Sequence, residues 1–307
     1  MSTSFRHEPV MRDEVVALIG VVPSGVVVDC TVGGGGHAAA ILSTHPHLRL
    51  LGLDRDDDAL EAAAANLRPF GDRVALRKAR FDRLSAVLEE SEVGMSAIVG
   101  ALFDLGVSSP QLDRPERGFS YRNDGPLDMR MDRDEPRTAG DLVNGEDAAE
   151  LARIIRQYGD ERYARRIASA IVTVRETKPI ETTTQLADVV ASAYPAPARR
   201  QPGHPARRTF QALRIALNDE LDVLRAALDQ ALAVLVPGGR CLVLSYHSGE
   251  HRIVKDAFRS ATLALTVKPV RPMKRLPSAD EIARNPRSSA AVLRTVERLP
   301  ASEREGE

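Results

Sequence analysis

The sequence predicts an α/β fold: a doubly wound parallel sheet, Rossmann-like, interrupted by an all-helical insertion. Three observations carry this. Short, nearly continuous apolar runs alternate with helical patterns over residues 10–104. After Asp104 the alternation stops and only helical patterns follow. It resumes at Pro237-Gly238-Gly239, a turn that leads into one more apolar run. Apolar strands without in-out alternation are buried on both sides, as when helices cover both faces of a parallel sheet.

The elements follow in order. Pro9 suits a first helical turn, so a helix is expected through residues 10–19. Strands are expected at 26–30, 48–54, 73–77 and 97–104, with helices at 37–43, 57–67 and 84–90. The acidic start at Asp57 favours a helix there through the dipole. Residues 106–137 are rich in Gly, Pro, Asp and Arg and show little periodicity. A loop of that length is usually functional or disordered. Helices are then expected at 138–144, 148–158, 162–175 and 184–194, a Pro/Arg-rich connector at 195–208, and one long helix at 210–236. The strand 241–246 closes the pattern. The expected organisation is a first sheet segment over 1–112, an inserted helical substrate-recognition domain over 113–208, and a second sheet segment over 209–307. The tail 300–307 is expected to be mobile.

Composition narrows the function classes. Of 307 residues, 43% are hydrophobic, enough for a sizeable core. The net charge is −1, so a polyanionic partner has to be met by local basic patches. The two cysteines, Cys30 and Cys241, sit in apolar strand-like runs and read as buried thiols. No run approaches the ~18 apolar residues of a membrane span, and the N-terminus lacks the apolar core of a signal peptide. A cytoplasmic protein with no membrane partner is expected.

The most informative local motif is Val26-Val-Val-Asp-Cys-Thr-Val-Gly-Gly-Gly-Gly-His37, a strand, a glycine turn and a helix start. Glycines let backbone approach a ligand closely, and a helix N-terminus favours negative groups. Gly33, Gly35 and Ala38 match G-x-G-x-x-G/A, and Asp54 lies near the expected ~20 residues on. This fits a nicotinamide enzyme and an S-adenosylmethionine (SAM) enzyme equally well. Three further features favour SAM. Gly52-Leu-Asp-Arg-Asp puts Asp54 where such enzymes hold the ribose hydroxyls. Pro237-Gly-Gly precedes the fifth strand. Asp104-Leu-Gly-Val-Ser-Ser-Pro110 stands where amino-methyltransferases carry an Asp- or Asn-Pro-Pro-aromatic motif. An exocyclic base amine is a poor nucleophile, because its lone pair is delocalised into the ring. An acceptor for its N–H groups helps localise that pair, and alignment can be worth roughly 7–11 kcal/mol. Asp104 is the candidate for this role; capping the next turn or touching only the cofactor are its alternatives.

With these residues assembled, the sequence resembles the bacterial 16S rRNA (cytosine-N4)-methyltransferase family known as RsmH or MraW. The matching segments span nearly the whole chain. They include His7-Glu-Pro-Val, the four-glycine loop with His37, Leu53-Asp-Arg-Asp and Asp104-Leu-Gly-Val-Ser-Ser-Pro-Gln-Leu-Asp113. Further on come Arg117-Gly-Phe-Ser-Tyr, Asp124-Gly-Pro-Leu-Asp-Met-Arg-Met-Asp132, Tyr158-Gly-Asp-Glu-Arg-Tyr-Ala, Arg208-Thr-Phe-Gln-Ala-Leu-Arg-Ile215 and Tyr246-His-Ser. The resemblance implies a class I SAM-dependent methyltransferase that modifies N4 of a cytosine in the decoding region of the small ribosomal subunit. It implies that Gly35, Gly36 and His37 contact SAM, that Asp54 holds the ribose, that Phe81 packs beside the adenine, and that Asp104 and Gln111 complete the pocket. Each has an alternative from the residues alone: core for Phe81, a helix opener for His37 and a solvated loop residue for Gln111. The chain departs from the family at Ser248-Gly-Glu-His251, where Ser-Leu-Glu-Asp is usual, and at Asn285-Pro-Arg-Ser-Ser-Ala290, where Asn-Pro-Arg-Ser-Arg-Ser is usual.

No acidic residue occurs between Val189 and Asn218, a stretch that carries Arg199, Arg200, His204, Arg207, Arg208 and Arg214. A second basic group comprises Arg271, Lys274, Arg275, Arg284 and Arg287. Such clusters suit phosphate contacts. Arg199, Arg200, Arg207, Arg208, Tyr246 and His247 are the candidate RNA contacts. Phe119, Tyr121 and Tyr246 are candidate stacking partners for an extruded base, or else packed anchors. No Cys/His spacing suggests zinc, and methyl transfer needs no metal. Asp124, Asp128, Asp132 and Asp134 read, with the arginines among them, as an ion-pair network. Two rival functions remain: a catalytically inert ribosome-assembly RNA-binding protein, and a nicotinamide-dependent oxidoreductase. The oligomeric state is left open, a homodimer included.

Overall fold

The computed structural model describes residues 9–91, 98–199 and 203–300. The chain divides into two units, Met1–Gly106 with Leu221–Glu307, and Val107–Glu220. The breaks therefore fall at 106/107 and 220/221, rather than at 112/113 and 208/209.

The discontinuous unit is built on seven strands: β1 (Gly25–Asp29), β2 (Leu48–Asp54), β3 (Val74–Lys78), β4 (Ile98–Asp104), β5 (Arg240–Ser245), β6 (Val267–Pro269) and β7 (Val292–Arg298). Their spatial order is β3-β2-β1-β4-β5-β7-β6. The first five run parallel, whereas β7 pairs antiparallel with both β5 and β6. Successive residues feed opposite faces, as strand geometry requires. Val26, Val28, Ala101, Phe103, Cys241 and Val243 enter one core. Val27, Val99, Leu102, Leu242 and Leu244 enter the other.

Helices cover both faces, as the near-continuous apolar strands predict. In chain order they are α1 (Arg12–Ile19), α2 (Gly36–Thr44), α3 (Asp57–Leu67), α4 (Leu84–Glu90), α5 (Ser109–Asp113), α6 (Ala139–Gly145), α7 (Ala148–Gly159), α8 (Ala164–Arg175), α9 (Thr183–Ala193), α10 (Ala196–Arg199), α11 (Ala206–Leu217), α12 (Glu220–Val234), α13 (Ser248–Leu263) and α14 (Ala279–Arg284). Leu88 of α4, Leu224 and Leu228 of α12 and Val254 of α13 pack into the first core. Val15 and Ile19 of α1 and Ile41 of α2 pack into the second. Cys30 and Cys241 are buried and free. Among the described residues, no helix is long and apolar enough to cross a membrane.

The Val107–Glu220 unit is all-helical apart from an isolated bridge between Pro126 and Thr182. Its core joins Leu151, Ile154, Ile155, Ile167, Ile171, Val190 and Leu213. The stretch 106–137 lacks helical periodicity but is ordered by burial and polar contacts together: Phe119, Leu127, Met129 and Met131 enter this core. Arg117 is only 2% exposed, and its guanidinium donates to the carbonyls of Arg130 (3.0 Å) and Met131 (3.4 Å). Asp128 holds the Arg130 guanidinium through both oxygens at 2.9 and 2.8 Å, and this pairing keeps its carboxyl below the ordinary range. Ion pairing among these Asp and Arg residues is thus present at Asp128.

Four expectations need correction. The single helix expected at 210–236 is two, α11 and α12, broken at Asn218 and Asp219. The Asn218 carboxamide bonds the Met129 carbonyl, the Met131 amide and the Arg214 carbonyl, so it competes with helix continuation. Asp219 takes the left-handed conformation, φ 52°. The connector 195–208 contains α10 and the start of α11. The helix expected from residue 10 begins at Arg12, because Met11 is left-handed (φ 52°) and its amide donates to Glu281 Oε1 at 2.7 Å. Strands β6 and β7 were not anticipated. The expected start of the fourth strand at Ala97, and the tail beyond Pro300, lie outside the described residues.

Candidate cofactor and amine site

The carboxyl ends of β1, β2 and β4 bring the glycine loop, Asp54 and Asp104 together, where parallel α/β sheets bind ligands. The chain leaves β1 at Asp29 and turns through Thr31 and Val32. Gly33 (φ 51°) and Gly35 (φ 77°) take left-handed conformations that other residues rarely adopt. A Cβ on Gly36 would come 2.7 Å from Pro9 Cγ, whereas one on Gly34 would meet nothing within 4 Å. The loop is thus packed on its inner side and open at Gly34. The backbone amides of Gly36 and His37 open α2 and have no acceptor within the helix.

Two side chains lock the loop to neighbouring strands. The Asp54 carboxylate accepts from Gly33 N–H at 2.9 Å and from Asp56 N–H at 3.0 Å. Burial pushes its carboxyl up, against the pull of those two amides. Thr31 Oγ1 accepts from the Asp104 amide at 2.7 Å, which ties the end of β4 to the loop after β1.

Asp104 is the centre of a short polar chain. Tyr246, just after β5, donates its hydroxyl to Asp104 Oδ1 at 2.6 Å. Burial and the neighbouring Asp104 both raise the phenol well above its usual value, so it remains a donor. The second oxygen, Oδ2, lies 3.6 Å from His37 Nε2. His37 is 6% exposed, and neither ring nitrogen has a hydrogen-bond partner among the described residues. A buried imidazole with both nitrogens unsatisfied is costly in isolation and suits a ligand group that completes it. Phe81 is partly buried and packs edge-on against Phe103, with ring centroids 5.8 Å apart. One flank of its ring therefore belongs to the core.

Sequence reasoning missed Asp29, a charge at the end of the apolar run Val26-Val-Val, whose signal was its place inside a strand. It is 1% exposed, and Thr31 N–H donates to it at 3.2 Å. Burial pushes its carboxyl up to about 7, partly offset by His37 and by the Thr31 amide. Between the ordinary value of 3.8 and about 7, the unfolded chain has released this proton while the folded chain keeps it. Stability that is fully present in acid is therefore lost as pH rises across that window. The Asp29→Asn variant should lack this loss. In urea denaturation, its stability relative to the parent should improve by about 3 kcal/mol between pH 5 and pH 7.5. Parallel pH profiles for the two proteins would assign the titration to another group.

The remaining candidates separate clearly. Gln111 lies in the Val107–Glu220 unit; it is 5% exposed, not solvated, and its Oε1 accepts the Ser108 amide at 3.0 Å in a capping box that starts α5. His247 is the N-cap of α13, with Nδ1 accepting from Glu250 N–H at 3.4 Å and Nε2 3.2 Å from Glu250 Oε1. Nδ1 is thereby committed to starting that helix, whereas Nε2 makes no hydrogen bond among the described residues. The departure residue His251 pairs its Nδ1 with Ser245 Oγ at 2.7 Å. Phe119 is buried core, not a free stacking face. The basic stretch is less free than its sequence suggests. Arg214 is paired twice with Glu220 at 2.8 Å. Arg208 lies 3.8 Å from Glu161 and donates to the Asp160 carbonyl at 3.2 Å. Arg199 donates to the Tyr194 carbonyl at 2.9 Å while staying exposed. Arg207 is exposed and has no side-chain partner among the described residues. Arg200 lies outside the described residues.

A glycine loop after β1, an acidic end to β2, a polar end to β4 and an antiparallel β7 beside β5 together define a class I SAM-dependent methyltransferase. The MraW methylase family profile matches residues 4–299. The chain belongs to that family. A protein of Symbiobacterium thermophilum called ribosomal RNA small subunit methyltransferase H is 50% identical, over 98% of this chain and 99% of its own length. Proteins of the same name from Mycolicibacterium smegmatis and Thermobifida fusca are 50% and 49% identical. Each covers 95% of this chain, over 84% and 93% of its own length respectively. A looser likeness is to a methyltransferase of Streptococcus mutans solved with S-adenosylhomocysteine (SAH): TM-score 0.45 and 13% identity, over 94% of this chain and 97% of that one.

Proposed function

We propose that this enzyme methylates N4 of a cytosine in the decoding region of 16S rRNA, in the small ribosomal subunit, in the cytoplasm. The observation that carries the chemistry is the Asp104 carboxylate, held at 2.6 Å by Tyr246 at the end of β4. The name of the 50%-identical relatives supports the RNA class. The cytosine N4 assignment rests on the resemblance of the Asp104–Asp113 segment to the family motif.

The residues suit SAM: an open glycine face, a buried imidazole lacking partners, and a strand-end carboxylate. Bound SAM supplies an electrophilic methyl group on a sulfonium. Asp54, already shaping the loop through Gly33, would accept the ribose hydroxyls. Gly35, Gly36 and His37 would line the amino-acid side, and Phe81 would offer its remaining flank to the adenine. Asp104 would accept one N–H of the base amine and turn its lone pair towards the methyl. The amine nitrogen would form the new bond to the methyl carbon while the carbon–sulfur bond gives its pair to sulfur, and the proton shed by nitrogen would pass to the Asp104 carboxylate that accepts that N–H, and from there to water. Tyr246 fixes the Asp104 oxygen, so its contribution is positioning. The inserted helical unit would recognise the RNA, with Arg199 and Arg207 among its phosphate contacts.

Purified enzyme with radiolabelled SAM should label small subunits from a strain that lacks this activity, and the digested product should contain N4-methylcytidine. Label on protein, on carbon 5 or on a 2′-hydroxyl would overturn the N4 assignment. SAH should bind tightly and NAD should not, which separates this reading from an oxidoreductase. Failure to label any particle would leave the inert RNA-binding reading.

A further inference from the structure

Within the Val107–Glu220 unit, a surface depression is lined by Tyr121, Arg122, Gly203, His204 and Arg207. The His204 ring lies on the Tyr121 ring with centroids 4.6 Å apart and planes 15° from parallel. Tyr121 is anchored in turn by Phe210, edge-on at 5.7 Å and 80°. His204 Nδ1 accepts the Ala206 amide at 3.2 Å, so the ring is held in place and its Nε2 carries the proton. Gly203 turns the chain there with φ 96°. His204, Arg122 and Arg207 are exposed, and neither guanidinium has a hydrogen-bond or ion-pair partner among the described residues.

The exposed His204 ring is thus stacked on a partly buried tyrosine, beside two guanidinium groups with no partner among the described residues. The rings offer a π-face to any base, and the guanidinium groups offer bidentate contacts to phosphate. We propose that this depression is a nucleotide subsite. One unpaired RNA base stacks on His204, and its flanking phosphates are held by Arg122 and Arg207. The proposal rests on RNA being the substrate and names where, in the inserted unit, a nucleotide is gripped. The phosphates supply affinity without sequence choice, and the stack selects single-stranded over paired RNA.

The test uses full-length protein and a fluorescein-labelled 12-nucleotide oligocytidylate, read by anisotropy over a range of salt. The variant His204→Asn removes the ring yet keeps an acceptor for the Ala206 amide, and His204→Phe restores a ring. His204→Asn should weaken binding about 5- to 150-fold, the range that one base–aromatic stack supplies, and His204→Phe should recover most of it. The double variant Arg122→Ala with Arg207→Ala should lower the salt slope by about 1.4, at about 0.7 for each phosphate on a single strand. SAH affinity and circular dichroism should match the parent. Parent-like oligonucleotide binding by His204→Asn overturns the stacking site, as does equal loss in His204→Phe or equal competition by inorganic polyphosphate of matched charge. Methyl transfer to small subunits, measured on the same preparations, keeps the two readings apart. If the parent labels RNA and His204→Asn keeps both its KM and its oligonucleotide affinity, the subsite falls and the function stands. If no RNA is labelled while oligonucleotide binding still depends on His204, the function falls and the subsite stands.

Discussion

Asp104→Asn should lower turnover by roughly 100- to 1,000-fold while SAH affinity stays within about 3-fold of the parent. The substitution keeps the side chain's shape and removes its charge. The carboxylate can accept from Tyr246 through Oδ1 and still present Oδ2 on the side facing His37, 3.6 Å away. An Asn has one acceptor oxygen. If Tyr246 takes it, only an NH2 group is left to face the base amine, donor against donor. Removing one preoriented hydrogen-bonding group at a reacting centre costs on the order of 100- to 1,000-fold in other enzymes. Single-turnover transfer at saturating SAM, with calorimetric SAH binding alongside, reads the two quantities separately. Equal losses in both would reduce Asp104 to a cofactor contact.

Asp54→Asn should act on the opposite quantity. SAH affinity should fall by about 10- to 150-fold, the range for a charged hydrogen bond at about 1.5–3 kcal/mol. Turnover at saturating SAM should stay within a few-fold. The carboxylate oxygens already accept from Gly33 and Asp56, and each has a lone pair left for a ribose hydroxyl. An amide nitrogen in place of one oxygen loses one backbone contact and one ribose contact together. Because the Gly33 contact also shapes the loop, the Asp54→Ala variant should be weaker still and should lower the melting temperature. A turnover defect without an affinity defect would place Asp54 outside the ribose site.

The parallel half of the sheet was legible because its strands are buried on both faces and each ends at a turn. Val26–Asp29, Leu48–Asp54 and Arg240–Ser245 carry a plain apolar signal. The antiparallel end was not. Val292–Arg298 reads Val-Leu-Arg-Thr-Val-Glu-Arg, and its Arg294 and Glu297 break the apolar run. Its Glu297 pairs with Arg240 at 2.8 Å, a contact 57 residues away in sequence that no local pattern contains. At the site, glycines and strand-end acids announce themselves through composition and spacing. The Tyr246 contact to Asp104 spans 142 residues and depends on β4 and β5 being neighbours. The basic stretch misled in the other direction. A run without acids says nothing of Glu161 and Glu220, which reach Arg208 and Arg214 from outside it.

The insertion between β4 and β5 has a consequence for how the chain is made. β4 ends at Asp104 and β5 begins at Arg240, 240 − 104 = 136 residues later. At about 5–20 residues per second of synthesis, the β4 edge waits roughly 7–27 s for the strand that covers it. An uncovered edge is a template for pairing with other chains. The Val107–Glu220 unit, whose core is drawn from within itself, can form during that interval on the ribosome. The sheet can close only after the strands on its far side have emerged. The sheet is therefore completed only after the inserted unit has been made, and the β4 edge is where crowding by a chaperone or a neighbouring nascent chain would be felt first.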